Sequence, residues 1–337
     1  MKKTKFMMGA AAVLAAGLTV GCTAAAGDAT AGGGEASADK IVIGVTNTSM
    51  KTPVYEVMRE AALEKAEEMG AEVIWQSAEF DANAQLSQVQ NMISQGIDVL
   101  VIEPVDNNAA AQHVQLARDA GIPVVNLEYY IEGADLALRI VADSEAVGAL
   151  QVQTFLDHWE GGDANAVILS GTSGSEIAET ITQGNEGAIE AAGNIDVVAQ
   201  QYHNNWDQEL ALKTMENVLL RENNDIQVVF ANNDEMILGA YRAAQQAGVA
   251  DDIIFVGSDH DEMVVKAILD GANMYTIDKG ARIQGERIVE GAIAVAEGGD
   301  IPQDEVIDDI PVWWTPVAVV DSENLELSKA KFPALFE

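Results

Sequence analysis

From Lys40 to the neighbourhood of Asp278, short β-branched runs alternate with longer stretches in which apolar residues recur every three or four positions, and few folds accommodate that rhythm. The strand-like runs are Ile41–Val45, Glu72–Gln76, Val99–Ile102, Val124–Leu127, Ala166–Leu169, Val197–Gln200, Gln227–Phe230, Ile253–Val256 and Met274–Ile277. Between them, sets such as Val54, Val57, Met58, Ala61 and Leu86, Val89, Met92, Ile93 carry the helical spacing. The punctuation agrees: Thr52-Pro53 reads as a helix start, and Gly70, Gly96, Gly121, Gly193, Gly248 and Gly271 fall where helices should stop. Strand-helix alternation is the signature of parallel sheets with crossover helices. The rhythm loosens over 129–143 and resumes with a second full set. A long helical stretch, Ala281–Ala296, and an extended, proline-punctuated stretch, Ile307–Val320, close the chain. At 337 residues the chain is too long for one ordinary domain. The reading is α/β: two doubly wound parallel-sheet domains joined by a multi-crossing hinge. Residues 40–143 with 280–308 form the expected N-terminal lobe, and 144–279 with 309–337 the C-terminal lobe.

The N-terminus reads as an export signal. Lys2, Lys3 and Lys5 precede an apolar run from Phe6 to Val20, long enough for a signal-peptide core and too short to span a membrane. The expectation is a signal peptide over 1–21. The run ends Leu18-Thr19-Val20-Gly21-Cys22, and Cys22 is the only cysteine in the chain. This resembles the lipobox of bacterial lipoproteins, with Thr19 standing where leucine is usual. It implies an acylated Cys22 as the mature N-terminus, at the outer face of the cytoplasmic membrane or in the periplasm. With one cysteine, no intramolecular disulfide can form. Residues 22–39, rich in Ala, Gly and Thr, read as a lipidated flexible tether. The net charge of −36 repels phosphate backbones and anionic lipid, which excludes nucleic-acid binding and leaves the lipid anchor as the sole membrane attachment. The expected state is a monomer.

In open parallel sheets, ligands lie beyond the carboxyl ends of the strands, and in this sequence those positions are polar. Lys51 and Tyr55 follow the first run, Glu128 and Tyr129 the fourth, and Ser175, Trp206, Asn233, Asp259 and Lys279 follow runs of the second set. Asn, Asp and Ser are also turn and cap residues, so each position has a purely structural reading. Taken together, carboxylates and amides suit adjacent hydroxyls, and an aromatic face suits the C–H side of a sugar ring. Trp206, set among Asn and Asp, is the stacking candidate. The chain has no G-x-G-x-x-G after a strand, no G-x-x-x-x-G-K-[ST] and no G-x-S-x-G, so dinucleotide, nucleotide triphosphate and hydrolase-elbow readings lose their fingerprints. Asp259-His260-Asp261-Glu262 is the densest group of metal-ligating types, but neighbours on one short turn rarely converge on one ion. No metal, cofactor or catalytic group is expected.

The stretch Val228-Val229-Phe230-Ala231-Asn232-Asn233-Asp234-Glu235-Met236, with Gly239-Ala240 and Gly248, and the stretch Ile254-Phe255-Val256-Gly257-Ser258-Asp259 resemble ribose-binding proteins. Trp75-Gln76-Ser77-Ala78, Gln88-Val89-Gln90-Asn91-Met92-Ile93 and Asp98-Val99-Leu100-Val101-Ile102 are similar to the xylose-binding protein type. The resemblance to periplasmic sugar-binding proteins covers nearly all of Lys40 to Val320. It implies a two-lobed fold with a three-stranded hinge, an interlobe cleft that closes on a sugar or polyol, and the membrane subunits of an ABC importer as partner. It implies ligand contact at Asn233 and Asp259, an aromatic on the sugar at Trp206, and a polar contact at Lys279. Two departures stand out. Glu128-Tyr129 replaces the family's Asp-Arg, and Ile177 and Ile181 fall where polar or arginine contacts are expected. The alternatives in the same cleft are an enzyme or a sensor component acting on a small sugar, a furanosyl signal or a nucleoside. A transcriptional regulator on this scaffold would need a DNA-binding helix pair and a basic surface.

Overall fold

The computed structural model describes residues 40–336; the expected signal peptide, Cys22 and the tether lie outside them. The elements run β1 (Val42–Asn47), α1 (Pro53–Met69), β2 (Glu72–Ser77), α2 (Ala82–Gln95), β3 (Val99–Ile102), α3 (Asn107–Asp119), β4 (Val124–Leu127), β5 (Leu138–Ala142), α4 (Ser144–His158), β6 (Ala164–Ser170), α5 (Glu176–Ala192) and β7 (Ile195–Tyr202). There follow α6 (Gln208–Arg221), β8 (Val228–Ala231), α7 (Asp234–Ala247), β9 (Ile254–Ser258), α8 (Glu262–Leu269), β10 (Met274–Asp278), α9 (Ala281–Glu297), β11 (Glu305–Ile307), β12 (Ile310–Thr315), β13 (Ala318–Val320) and α10 (Glu326–Lys331).

The local signals act as their chemistry dictates. Pro53 opens α1, where a missing N–H costs nothing, and Gly70 ends it at φ 74°, closing the helix through its N–H. The side chains of Asp81, Asp106, Asp143, Ser175, Asp207 and Asn233 accept backbone N–H bonds at the starts of α2 to α7.

Two sheets result, ordered β11-β12-β5-β4-β3-β1-β2 and β13-β10-β9-β8-β6-β7. Each contains the same doubly wound core, in which the first strand of the set lies between the second and the third. Central strands β3, β4 and β8 are buried at every residue, as expected for a sheet covered on both faces. In the first lobe, Ile43, Val45, Val101 and Val125 pack under α1 and α9, while Leu100, Ile102 and Val124 pack on the opposite face with Val89 and Met92 of α2 and Val114 of α3. The second lobe repeats the scheme, with Val167, Val229 and Phe255 on one face and Ile168, Phe230 and Val256 on the other.

The chain passes between the sheets three times: after β5, between β10 and α9, and between β12 and β13. At the second crossing Gly280 has φ 72°, and a Cβ there would lie 3.1 Å from the Pro316 carbonyl oxygen of the third. A side chain at 280 would be strained in this backbone conformation and would press the two crossings apart. The sequence pattern puts 309–337 in the second lobe. Residues 310–315 instead form β12, parallel to β5 in the first sheet, because Asp308 and Asp309, at φ 51° and 65°, turn β11 back into β12 as a hairpin. Strand β5, which the sequence reading left inside the loosened stretch, is a fully buried member of the first sheet.

Candidate functional site

Parallel strands of both sheets end towards one cavity that holds, with its open mouth, about 610 Å³. Tyr55, Glu128 and Gln284 line it from the first lobe. Trp206, Asn233 and Asp259 line it from the second, and Lys279 from the crossing between β10 and α9. Seven of the nine residues expected from sequence are thus brought together: Tyr55, Glu128, Tyr129, Trp206, Asn233, Asp259 and Lys279.

The other two go elsewhere. Lys51 is exposed, and its ammonium lies 3.4 Å from Glu79, away from the cavity. Glu79 gathers the loop after β1: it accepts bonds from Ser77 Oγ at 2.7 Å and from Met50 N–H and Ser49 Oγ at 3.2 Å, and these donors hold its carboxyl down to about 2. An acidic partner on the neighbouring loop captures this strand-end lysine at the surface. Ser175 accepts the Ala178 N–H as the cap of α5 and lines the outer mouth of the cleft beside Tyr129.

The polar groups include two bonded pairs, Asp259 with Lys279 and Glu128 with Gln284, whose charges also interact. Lys279 Nζ lies 2.6 Å from Asp259 Oδ1. Burial pushes the Asp259 carboxyl up, opposed by the Lys279 ammonium. Burial alone would lower Lys279, but Asp259 and Glu128 outweigh it and raise the ammonium above its ordinary range, so it stays charged. Glu128 is raised by burial, with Lys279, the Gln284 hydrogen bond and Arg139 opposing. Gln284, 2% exposed, donates to Glu128 and, at 3.2 Å, to Thr315 Oγ1. Asn233 spends its side-chain oxygen on the Met236 N–H at 3.0 Å, so its amide donors are the part available to a ligand.

The aromatic side has its own support. Trp206, at φ 57°, is half-buried and lies over Gly171, where a Cβ would stand 2.6 Å from three ring atoms. Gly171 is held in turn, its N–H bonded to Asn232 Oδ1 at 2.9 Å. Ile177 lines the cavity with Tyr129 and Trp206 packed against its cluster, so this wall is apolar where the family pattern has polar contacts. Beneath Tyr55, the fully buried Glu103 accepts its hydroxyl together with Thr48 N–H at 2.9 Å and Thr48 Oγ1 at 3.1 Å. Burial pushes the Glu103 carboxyl up to about 7.

A further contact spans the cleft. Glu176, at the start of α5, accepts Arg139 from β5 at 3.1 Å and the Tyr130 N–H at 2.8 Å, which ties the lobes at the rim. Glu176 is one of the polar residues that follow the first strand run of the second set, whereas Gln284 was missed from sequence. Gln284 does lie on the buried stripe of α9 with Ala281, Ile288 and Ala292, a position where a polar residue signals a lined cavity.

Two lobes that present their strand ends to a shared cavity and are strung on three crossings define a two-lobed solute receptor. Residues 43–300 match the model of the periplasmic binding protein domain, and the chain belongs to that family. It is 31% identical to the D-xylose-binding periplasmic protein of Escherichia coli over 81% of this chain and 83% of that one. It is 30% identical to the ribose import binding protein of Salmonella typhimurium, over 80% and 89%. Among solved structures, the ABC transporter solute-binding protein of Bacillus halodurans with bound myo-inositol superposes with a TM-score of 0.75 at 30% identity, covering 87% of this chain and 98% of that one.

Proposed function

We propose that the chain is the extracytoplasmic solute-binding protein of an ABC importer, that it takes an uncharged sugar or polyol in the interlobe cavity, and that an acylated Cys22 anchors it to the membrane. One observation carries the ligand class: the linked Glu128, Gln284, Lys279 and Asp259 face the cavity together with Asn233 and the Trp206 ring. Such a rim offers acceptors and donors to neighbouring hydroxyls while the indole covers a C–H face. Among the described residues that line the cavity, Lys279 is the sole cation, and Asp259 and Glu128 already claim it. An anionic solute would meet two carboxylates and no uncommitted positive charge, so sugar acids and sugar phosphates are rejected.

Ligand contacts come from both lobes, so they coexist only when the lobes are close, and the solute shifts the hinge equilibrium towards closure. Glu176 with Arg139 and Tyr130 adds to the closed side. The importer then reads the closed form.

A melting-temperature panel of D-xylose, D-ribose, xylitol, myo-inositol, D-glucuronate and neutral amino acids tests the reading. Neutral polyols should raise the melting temperature in a saturable way, because a ligand that binds only the folded state stabilises it by mass action. A rise confined to the glucuronate or amino-acid arms would refute it. NMR of the incubated solute separates binder from enzyme, since the binder returns it unchanged. Cys22→Ser should move the protein from the membrane fraction to the soluble one, and retention in the membrane would refute the anchor.

A further inference from the structure

Near the C-terminus, helix α10 docks directly behind Asp259. Ser328 is fully buried, with Oγ 2.8 Å from His260 Nε2, and the Phe332 ring meets His260 edge-on at 5.6 Å between centroids. Lys331 Nζ donates to the carbonyl oxygens of Asp259 at 3.2 Å and His260 at 2.8 Å. These two residues have unusual backbones, with φ 119° at Asp259 and 60° at His260. Non-glycine residues hold such conformations only where their surroundings over-determine them.

The surroundings here act from two sides. On the N–H side, Asp259 N–H bonds to Ile277 O at 2.9 Å, His260 N–H to Thr276 Oγ1 at 3.1 Å and Asp261 N–H to Asp234 Oδ2 at 2.8 Å. On the carbonyl side, both oxygens meet the Lys331 ammonium. Burial pushes the Lys331 ammonium down, and the charges of Asp278, Asp261, Asp234 and Asp259 oppose that. Lys279, the other cation beside these acids, is engaged inside the cavity. Without Lys331, the two carbonyl dipoles and the acid group behind the cavity lose their shared counter-charge, and only the N–H side and the His260 ring contacts still hold the turn against relaxing towards negative φ. Any shift of the turn carries the Asp259 side chain with it and changes its approach to Lys279.

We propose that Lys331 is a positioning residue for solute binding: from outside the cavity it clamps the Asp259–His260 turn and so sets the aim of the Asp259 carboxylate. The inference rests on the reading of Asp259 as a ligand contact. Lys331 touches no ligand, so its effect on affinity passes through that turn.

The test is isothermal titration of the full chain with D-xylose, D-ribose, xylitol and myo-inositol, followed by Lys331→Met and Lys331→Arg with whichever probe binds tightest. Lys329→Met, which removes the exposed pair with Glu326 and the contact over the Phe336 ring but touches neither Asp259 nor His260, is the control. Lys331→Met should weaken binding by roughly tenfold or more, within the range of site-to-site coupling. Lys331→Arg should restore most of the affinity, and Lys329→Met should leave it unchanged. Equal binding by Lys331→Met and the parent overturns the inference, as does an Arg variant as weak as the Met variant. Hydrogen exchange on the parent protein supplies a second reading that requires no variant to fold. Saturating probe should slow exchange across 326–332 as well as at 258–261, because the coupling is reciprocal. Protection of 258–261 alone overturns the inference. A parent protein that binds none of the four probes refutes the sugar-and-polyol reading, and this inference falls with it.

Discussion

Glu103→Gln probes the floor of the cavity by a change of charge alone. The Glu103 side chain is fully buried, and burial raises its carboxyl from an ordinary 4.5 to about 7. The folded state therefore holds this proton more tightly than the unfolded chain does. The stability it contributes is complete below about 4.5 and is lost as the pH rises through about 7. The difference corresponds to about 3 kcal/mol at 1.36 kcal/mol per pH unit. Glutamine keeps an acceptor for Thr48 and offers its amide to the Tyr55 oxygen, so the packing survives while the titration disappears. Urea denaturation of ligand-free parent and variant at pH 5 and pH 8.5 should show the parent losing more stability than the variant across that interval, by about 3 kcal/mol. Glu235 and Asp261, which burial also pushes up to about 7, lower stability with rising pH in both proteins and cancel in the comparison. Parallel profiles for the two proteins would refute the reasoning, because Glu103 would then titrate as an ordinary carboxyl.

Asn233→Ala and Asp259→Ala should each weaken binding roughly ten- to a hundredfold, since a buried hydroxyl left without its partner costs about 1–3 kcal/mol; unchanged affinity in both would move the site. Saturating solute should change the indole fluorescence, and Trp206→Ala should cost about 1–3 kcal/mol of binding while Trp206→Phe keeps most of it. Equal affinity in Trp206→Ala would make the residue a structural anchor. Gly171→Ala should displace the indole that lies over it and weaken binding with no change in any polar contact, and parent-like titration would contradict this. Glu176→Gln should shift the ligand-free protein towards the open form, visible as a larger radius of gyration in solution scattering; an unchanged radius would show that the rim contact carries no closing force.

The strands and helices of both lobes were legible because burial on both sheet faces demands nearly continuous apolar runs, and glycine stops mark the helix ends. Strand β5 was not, since Arg139 interrupts its run, and that charge is buried through the distant Glu176, the Glu128 carbonyl and the Tyr130 ring. The β11–β12 hairpin turns on Asp308-Asp309, a weaker signal than Asn-Gly, so the last crossing was placed too early. In the site, strand-end polar residues were legible through the topology rule, whereas Lys51 was lost to Glu79, a pairing between two loops that no local pattern encodes. Gln284 was hidden because glutamine in a helix reads as surface, although its place on the apolar stripe of α9 carried the signal. Lys331 could not have been found, because it acts on a turn about seventy residues upstream through backbone oxygens.

Mass spectrometry of the solute released on denaturing freshly purified protein identifies the ligand without presupposing its class. If the cleft closes on its solute and retains it through purification, a single neutral, polyhydroxylated compound should appear in stoichiometric amount. Release of an amino acid, a peptide or an anionic sugar in stoichiometric amount would contradict it.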